Sequence, residues 1–158
     1  MPGEYLANSR FEFTADGLDG KLFVQKVTGL KMSIQVTATD SPLGVTNATK
    51  ATSQQAASAV KNENVTITFV TNSDKPKTVS DWFYDSHPNR ELGGATKTKG
   101  ALKTADIKVF AQDGSESAAW HFDGVMPLTY KMSGLDVAGN QPLTETVTFS
   151  FTYVNRTK

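Results

Sequence analysis

Apolar and polar residues alternate along most of this chain, so that every second side chain is apolar over several short runs. Successive side chains of a strand point to opposite faces, so each run predicts one face on a core and one polar face, as in antiparallel sheets. The runs include the apolar positions Phe11 and Phe13, 32–38, 65–69, 105–111, Trp120 and Phe122, and 147–153. Two less regular segments, 22–27 and 126–132, complete about eight predicted strands.

Turn residues separate these strands. Asp113-Gly114 predicts a hairpin over 105–123, because Asp-Gly pairs favour tight turns between strands. Thr28-Gly29 predicts a second hairpin over 22–38 in the same way.

One segment has helical periodicity. Val79, Trp82 and Phe83 stand at i, i+3 and i+4, and Pro88 ends the pattern because it restricts the residue before it. The predicted fold is therefore all-β with one short helix. We expect residues 1–158 to form a single domain, a small antiparallel barrel or sandwich of about eight strands flanked by that helix.

Residues 40–62 are rich in Ala, Thr, Ser, Asn and Gln and have little apolar periodicity. They are predicted to form an extended loop, with at most a short helix over 48–60 that would be marginal alone. Loops longer than about 12–15 residues are uncommon in compact domains and are usually functional or disordered. A second loop, with Gly93-Gly94, is expected over 89–103.

Composition excludes several classes of protein. The 158 residues contain no cysteine, which rules out a disulfide scaffold and cysteine-ligated zinc. Sixteen basic residues balance sixteen acidic ones, so no positive excess favours sequence-specific nucleic-acid binding, and repulsion between copies is low. No apolar run is long enough for a membrane span and the N-terminus does not resemble a secretory signal, so we expect the cytoplasm of the producing cell.

The sequence contains no convincing catalytic, cofactor or metal site. Asp85, Ser86 and His87 are adjacent, whereas a Ser-His-Asp triad needs three groups that converge in space. No G-x-S-x-G elbow supports a nucleophile, and His121 has no second imidazole at ligand spacing. We therefore expect no cofactor and a protein that is not an enzyme.

The order of these features resembles the tube proteins of contractile phage tails and related injection systems. It also resembles, more weakly, the haemolysin-coregulated tube protein of type VI secretion. The segments that carry the resemblance are Phe11-Glu-Phe, the aromatic and V-x-G-L stretch 23–30, Asp81-Trp82, 105–114, the W-x-F-x-x-x-x-P stretch 120–127 and the final strand 144–154.

The resemblance implies a structural subunit that forms hexameric rings. Rings stack into a hollow conduit, and a contracting sheath drives that tube through a target envelope. Strands of neighbouring subunits join into one inner barrel, which would satisfy exposed strand edges. The implied partners are other copies of the chain, a sheath, a baseplate or spike, and a terminator, assembled into a phage tail or injection particle.

The resemblance also implies roles for particular residues. Two hairpins per subunit line the channel in such tubes, and this implies the lumen-facing residues Ser33, Gln35, Thr37, Asp106, Lys108 and His121. The loop 40–62 would contact adjacent subunits or the next ring through Pro42, Val45, Lys50, Gln54, Gln55 and Val60.

Two other functions remain open at this point. One is the type VI secretion tube. The other is a β-sandwich module that binds carbohydrate or a cell surface, whose mark would be a cluster of exposed aromatic residues. Most Phe, Tyr and Trp residues here occupy positions predicted to face inward, which favours the tube.

Overall fold

The computed structural model describes residues 10–18, 22–38, 45–46, 49–50, 55–71, 78–87 and 102–158. The chain divides into two compact units, one formed by Met1–Leu30 with Asn64–Lys158 and the other by Lys31–Glu63. The strands are β1 (Phe11–Ala15), β2 (Phe23–Thr28), β3 (Met32–Ala38), β4 (Val45–Thr46), β5 (Thr49–Lys50), β6 (Gln55–Asn62), β7 (Val65–Val70), β8 (Lys103–Phe110), β9 (Glu116–Met132), β10 (Thr144–Ser150) and β11 (Tyr153–Arg156). The helix α1 is Thr78–Ser86.

The first unit is built on one antiparallel sheet. Its strand order is β1-β8-β9-β10-β7-β2, and β11 pairs with β9 beside this path. Residues of the two outer strands, β1 and β2, lie within 8 Å of each other, Cα to Cα, so the sheet curls back on itself. The predicted mainly antiparallel β fold with one short helix is confirmed.

Strand β9 bends the sheet. Its 17 residues pair with β8 and β11 through the first half and with β10 through the second half. Gly124 stands between the halves with φ +63°, and a Cβ there would lie 2.4 Å from Thr152 Oγ1. Opposite the bend, the Thr152 amide donates to the Asp123 carbonyl at 2.9 Å.

Two predicted strand boundaries are wrong because of this bend. The segments around Trp120 and 126–132 form one continuous strand, because Gly124 turns the chain without ending the ladder. The predicted run 147–153 is two strands, β10 and β11, because each pairs with a different half of β9.

The core lies inside the curled sheet and beneath α1. Val65, Ile67 and Phe69 face inward from β7, as the alternation predicts, and Val147 and Phe149 face inward from β10. The Phe149 ring centroid lies 6.0 Å from that of Phe13, 6.3 Å from that of Phe69 and 5.1 Å from that of Trp82. These aromatic contacts join strands β1, β7 and β10 to the helix.

Helix α1 is confirmed where the sequence predicted it. Val79, Trp82 and Ser86 are its buried residues, so the amphipathic face packs on the sheet. Ser86 Oγ donates to the Phe83 carbonyl at 2.8 Å, and the His87 amide donates to the Tyr84 carbonyl at 3.3 Å. Both bonds satisfy carbonyls that a helix leaves unpaired at its C-terminal end.

The described residues of the second unit, Lys31–Glu63, form two small sheets. Strand β3 pairs with β6 in an antiparallel ladder from Met32↔Asn62 to Ala38↔Gln55, and β4 pairs with β5. Lys31 Nζ lies 2.8 Å from Glu63 Oε1, and the Glu63 amide donates to the Lys31 carbonyl at 3.1 Å. This pairing and ion pair close the ladder at the end where the chain leaves the unit.

The ladder corrects two predictions. The hairpin predicted over 22–38 is wrong, because β2 pairs with β7 and β3 pairs with β6. The segment 40–62 was predicted to be a loop with a possible helix over 48–60, yet Gln55–Asn62 is a strand. Cross-strand pairing with β3 overrides the local preference of an Ala- and Gln-rich segment for helix.

Candidate assembly surfaces

The outer face of β1, β8, the first half of β9 and β11 collects polar residues from four strands. In the ladder, Thr14 pairs with Asp106, Asp106 with His121, and His121 with Asn155. Lys108 stands two residues along β8 from Asp106 and pairs with Glu12. The structure thus brings three of the predicted lumen residues, Asp106, Lys108 and His121, onto one face, which we call the charged face.

Oppositely charged groups pair on the charged face. His121 Nδ1 lies 2.6 Å from Asp106 Oδ1, and its Nε2 lies 3.4 Å from Asp123 Oδ1. The Asp106 hydrogen bond raises the pKa of His121 above its ordinary 6.5; desolvation opposes the rise, and the charges of Asp106 and Asp123 add to it. Lys108 Nζ lies 3.2 Å from Glu116 Oε2. Chemically, the face offers paired polar groups, in which four acidic residues stand against the two bases Lys108 and His121.

This pairing makes a small part of the stability pH-dependent. The pKa of His121 is raised in the folded state, so protonated His121 stabilises the fold. This contribution to the free energy of unfolding is fully present below pH 6.5 and is lost as pH rises through the folded pKa. We expect His121→Gln to destabilise the protein more at pH 6 than at pH 8.5. The side chain is 36% exposed, so solvent screening should keep the effect below about 1 kcal/mol.

NMR titration of His121 with parallel urea unfolding would check this. In the control variant Asp106→Asn the pKa should move back toward 6.5. A pKa at or below 6.5 in the wild-type protein would contradict the assignment.

The other three predicted lumen residues belong to the second unit. Ser33, Gln35 and Thr37 occupy alternate positions of β3, where Gln35 pairs with Ala59 and Thr37 with Ala56. Their predicted role in the lumen stays a prediction.

The predicted contact residues also fall in the second unit. Val45 and Lys50 are cross-strand partners in the β4–β5 pair. Gln55 pairs with Ala38, and Val60 with Ile34, in the β3–β6 ladder. Pro42 and Gln54 lie outside the described residues.

A second polar face, made by threonines of β7 and β10, was missed from the sequence. Thr66 Oγ1 lies 3.1 Å from Thr148 Oγ1, and Thr68 Oγ1 lies 3.3 Å from Thr146 Oγ1. The signal was present, because threonine fills alternate positions in both strands. Only the pairing of β7 with β10 shows that the two rows form one surface, which we call the threonine face.

The Ser86–His87 pair does not have the geometry of a nucleophile and base. His87 Nδ1 lies 2.7 Å from the Phe83 carbonyl oxygen, which also accepts from Ser86 Oγ. A carbonyl only accepts, so Nδ1 carries its proton there and cannot take one from Ser86, although the two atoms are 3.1 Å apart. Both side chains thus cap the helix.

A buried carboxylate also has a structural explanation. Glu145 is 7% exposed and accepts from Thr71 Oγ1 at 3.2 Å. Burial, together with the charge and hydrogen bond of Glu145, raises the pKa of Tyr130 to about 12, so Tyr130 stays a neutral phenol.

Among the described residues, no group of three or more His, Cys, Asp or Glu could hold a metal ion. No helix in the described part of the chain is long and apolar enough to span a membrane.

Comparison with known proteins gives a consistent result. The family model of the T4-like virus tail tube protein gp19 matches residues 7–155. No curated protein matches the sequence significantly.

Solved structures share the fold at low sequence identity. A chain of the sheath–tube complex of an extracellular contractile injection system, PVC, is 16% identical with a TM-score of 0.71, covering 96% of this chain and 90% of that chain. A chain of the PVC sheath/tube terminator is 14% identical with a TM-score of 0.73, and each chain is covered completely. Hcp1 from Flavobacterium johnsoniae is 14% identical with a TM-score of 0.58, covering 97% and 95% of the two chains. Since the family model spans nearly all the sequence, the chain belongs to the family of T4-like virus tail tube proteins.

Proposed function

We propose that this chain is the structural subunit of the inner tube of a contractile phage tail or injection system. Six copies form a ring, and rings stack into a hollow conduit that a contracting sheath drives through a target envelope. The match to the tail tube family over residues 7–155 carries this proposal. The sheath and terminator named for the similar PVC structures indicate the proposed partners. A baseplate or spike, and assembly in the cytoplasm of the producing cell, complete the proposal.

Strand edges support self-assembly. Among the described strands, β1, β2 and β11 each pair on one side only. The other side of an edge strand offers N–H and C=O groups that can pair with another chain. In a ring, the neighbouring copy supplies those partners.

The second unit supports self-assembly independently. A two-stranded sheet is at best marginally stable alone in water. The β3–β6 ladder therefore gains order most readily by docking on another copy, and we propose that the unit Lys31–Glu63 is an assembly arm.

We further propose that the charged face lines the lumen, together with Ser33, Gln35 and Thr37 of β3. Three of its residues are part-exposed and paired with opposite charges, namely Asp106, Lys108 and His121. A cargo passing through the lumen would therefore contact polar side chains that do not bind it strongly. The threonine face is the competing candidate, because it is also polar.

A structural role also accounts for the chemistry better than catalysis does. Ser86 and His87 form hydrogen bonds at the end of the helix, and Glu145 interacts with Thr71 and Tyr130. In the described part of the chain, the exposed aromatic residues Phe23, Tyr84 and Tyr153 lie on three different elements, which does not favour a carbohydrate-binding platform.

Electron microscopy of the purified protein, alone and with its own tail components, tests the proposed function. We expect six-fold rings that stack into tubes. A protein that stays monomeric at high concentration, even with those components, would overturn the proposal.

The same tubes test the lumen assignment, because the chain has no cysteine and any introduced thiol is unique. In tubes, Lys108→Cys should react with a small maleimide and resist a bulky one. Thr148→Cys on the threonine face, half-buried like Lys108, is the matched comparison. Equal labelling of Lys108→Cys by both reagents, or protection of Thr148→Cys instead, would count against the charged face.

A further inference from the structure

The connection between β9 and β10, residues 133–143, is a structured loop. At its base the Ser133 amide donates to the Thr144 carbonyl at 2.8 Å, and the Thr144 amide donates to Ser133 Oγ at 3.2 Å. At its tip the Ala138 amide donates to Asp136 Oδ1 at 3.0 Å, and the Gly139 amide donates to the Asp136 carbonyl at 3.1 Å. These bonds hold the tip in one turn, so the residues around Asp136 are presented in a defined position.

The tip displays apolar side chains to solvent. Leu135 is 79% exposed and Val137 is 108% exposed, the two highest values among the exposed large apolar residues of the described chain. Isolated exposed apolar residues are common, but here two flank the residue that forms the turn. An ordered loop that holds such side chains in water is typical of an interaction site.

A concave surface lies next to the tip. A cavity of about 390 Å³ is lined by the loop and by Gln25 of β2, with Leu135, Pro142 and Leu143 as its apolar members. It far exceeds the roughly 30 Å³ that one water occupies in the liquid, so an aliphatic side chain can enter it. Phe23, two residues before Gln25 on the edge strand β2, is 57% exposed. The loop therefore places a projecting tip and a recess next to the edge strand β2, which among the described strands pairs with β7 on one side only.

We propose that the tip at Leu135–Val137 is a contact between copies of this chain, buried against a neighbouring subunit when the tube forms. This inference rests on the proposed function, since a tube supplies many copies for such a contact. The recess beside β2 gives a second copy a concave surface, in which the apolar residues Leu135, Pro142 and Leu143 stand among a more polar lining.

The chemistry of the tip favours a second copy over a membrane surface. Its only charged residue is Asp136, whose negative charge would be repelled by an anionic bilayer. The chain as a whole has a formal net charge of zero, so copies can approach one another without strong repulsion.

Thiol labelling tests the contact directly. Val137→Cys should react rapidly with a maleimide in the dissociated subunit and at least about tenfold more slowly in purified tubes, because a buried contact must open before reaction. Equal rates in the two states would overturn the inference. So would protection that requires added vesicles or another tail component, because the occupant would then be a different one.

A matched pair of substitutions tests the energetic role. Val137→Ser should raise the protein concentration needed for half-assembly by about tenfold, as expected for an interface anchor. Asn140→Ser, an exposed polar change in the same loop, should leave it unchanged. Both variants should melt like the wild-type subunit. Normal assembly of Val137→Ser would overturn this inference alone, whereas a wild-type protein that forms no tubes would overturn the proposed function and the inference with it.

Discussion

Replacing Phe149 with alanine should lower the free energy of unfolding by about 3–5 kcal/mol, the range for truncating a buried phenylalanine. Phe149 is 2% exposed, and its ring contacts those of Phe13, Phe69 and Trp82. The truncation therefore removes apolar burial and leaves a cavity where β1, β7, β10 and α1 meet. Urea unfolding of the dissociated subunit, followed by tryptophan fluorescence, would measure the loss.

Tyr153 provides the control for this prediction. Tyr153→Ala also removes an aromatic ring, but the residue is 56% exposed, so it should cost less than about 1 kcal/mol. If Phe149→Ala does not fold at all, Phe149→Leu keeps most of the packed volume and should give a smaller, measurable loss. Equal losses for Phe149→Ala and Tyr153→Ala would show that Phe149 is not central to the core.

Alternation alone was enough to predict the inward positions of the central strands. Val65, Ile67 and Phe69 are buried, while Thr66 and Thr68 between them face outward. This succeeds because the two-residue period of a strand is a local property, and one apolar face must be covered. The hairpin over 105–123 is also confirmed, since β8 pairs with β9 and so brings Asp106 opposite His121.

Strand partners distant in sequence could not be predicted. Thr28-Gly29 has the residues of a turn, and Gly29 does have φ +87°. Its role is different, however, because a Cβ at Gly29 would lie 2.6 Å from the Asn64 carbonyl oxygen. The glycine allows two strand ends to approach closely, and nothing in residues 22–38 identifies Asn64 as the neighbour.

The candidate surfaces show the same difference between local patterns, which the sequence predicts, and strand partners distant in sequence, which it does not. The pairing of Asp106 with His121 follows from a hairpin of known turn, where Ser115 donates its amide to Asp113 Oδ1 at 2.8 Å. The threonine face needs strands 65–70 and 144–150 to be neighbours, and a single sequence does not provide that information. The strand Gln55–Asn62 was missed for a related reason, because its ladder partner decides its conformation.

Replacing residues 45–58 with a short Gly-Ser linker should abolish stable tubes and leave the melting temperature of the subunit nearly unchanged. The replaced segment includes β4, β5 and the first half of β6. The residues of the described hydrophobic core cluster all lie outside Lys31–Glu63, so the first unit should keep its packing. Tubes should not form stably, because the linker lacks the side chains that would dock on a neighbouring subunit. Ordering a chain segment costs about 1 kcal/mol or more per residue, and only such docking offsets that cost.

The experiment compares sedimentation and electron microscopy of the variant with its thermal unfolding. A second variant, with 45–58 replaced by Gly and Ser at the original length, separates the contribution of side chains from that of chain length. Loss of tubes in both variants, with unchanged melting, assigns the contact to the side chains and strand pairing of the arm. A variant that unfolds would place Lys31–Glu63 in the cooperative core, and normal tubes in both variants would show that assembly does not use the arm.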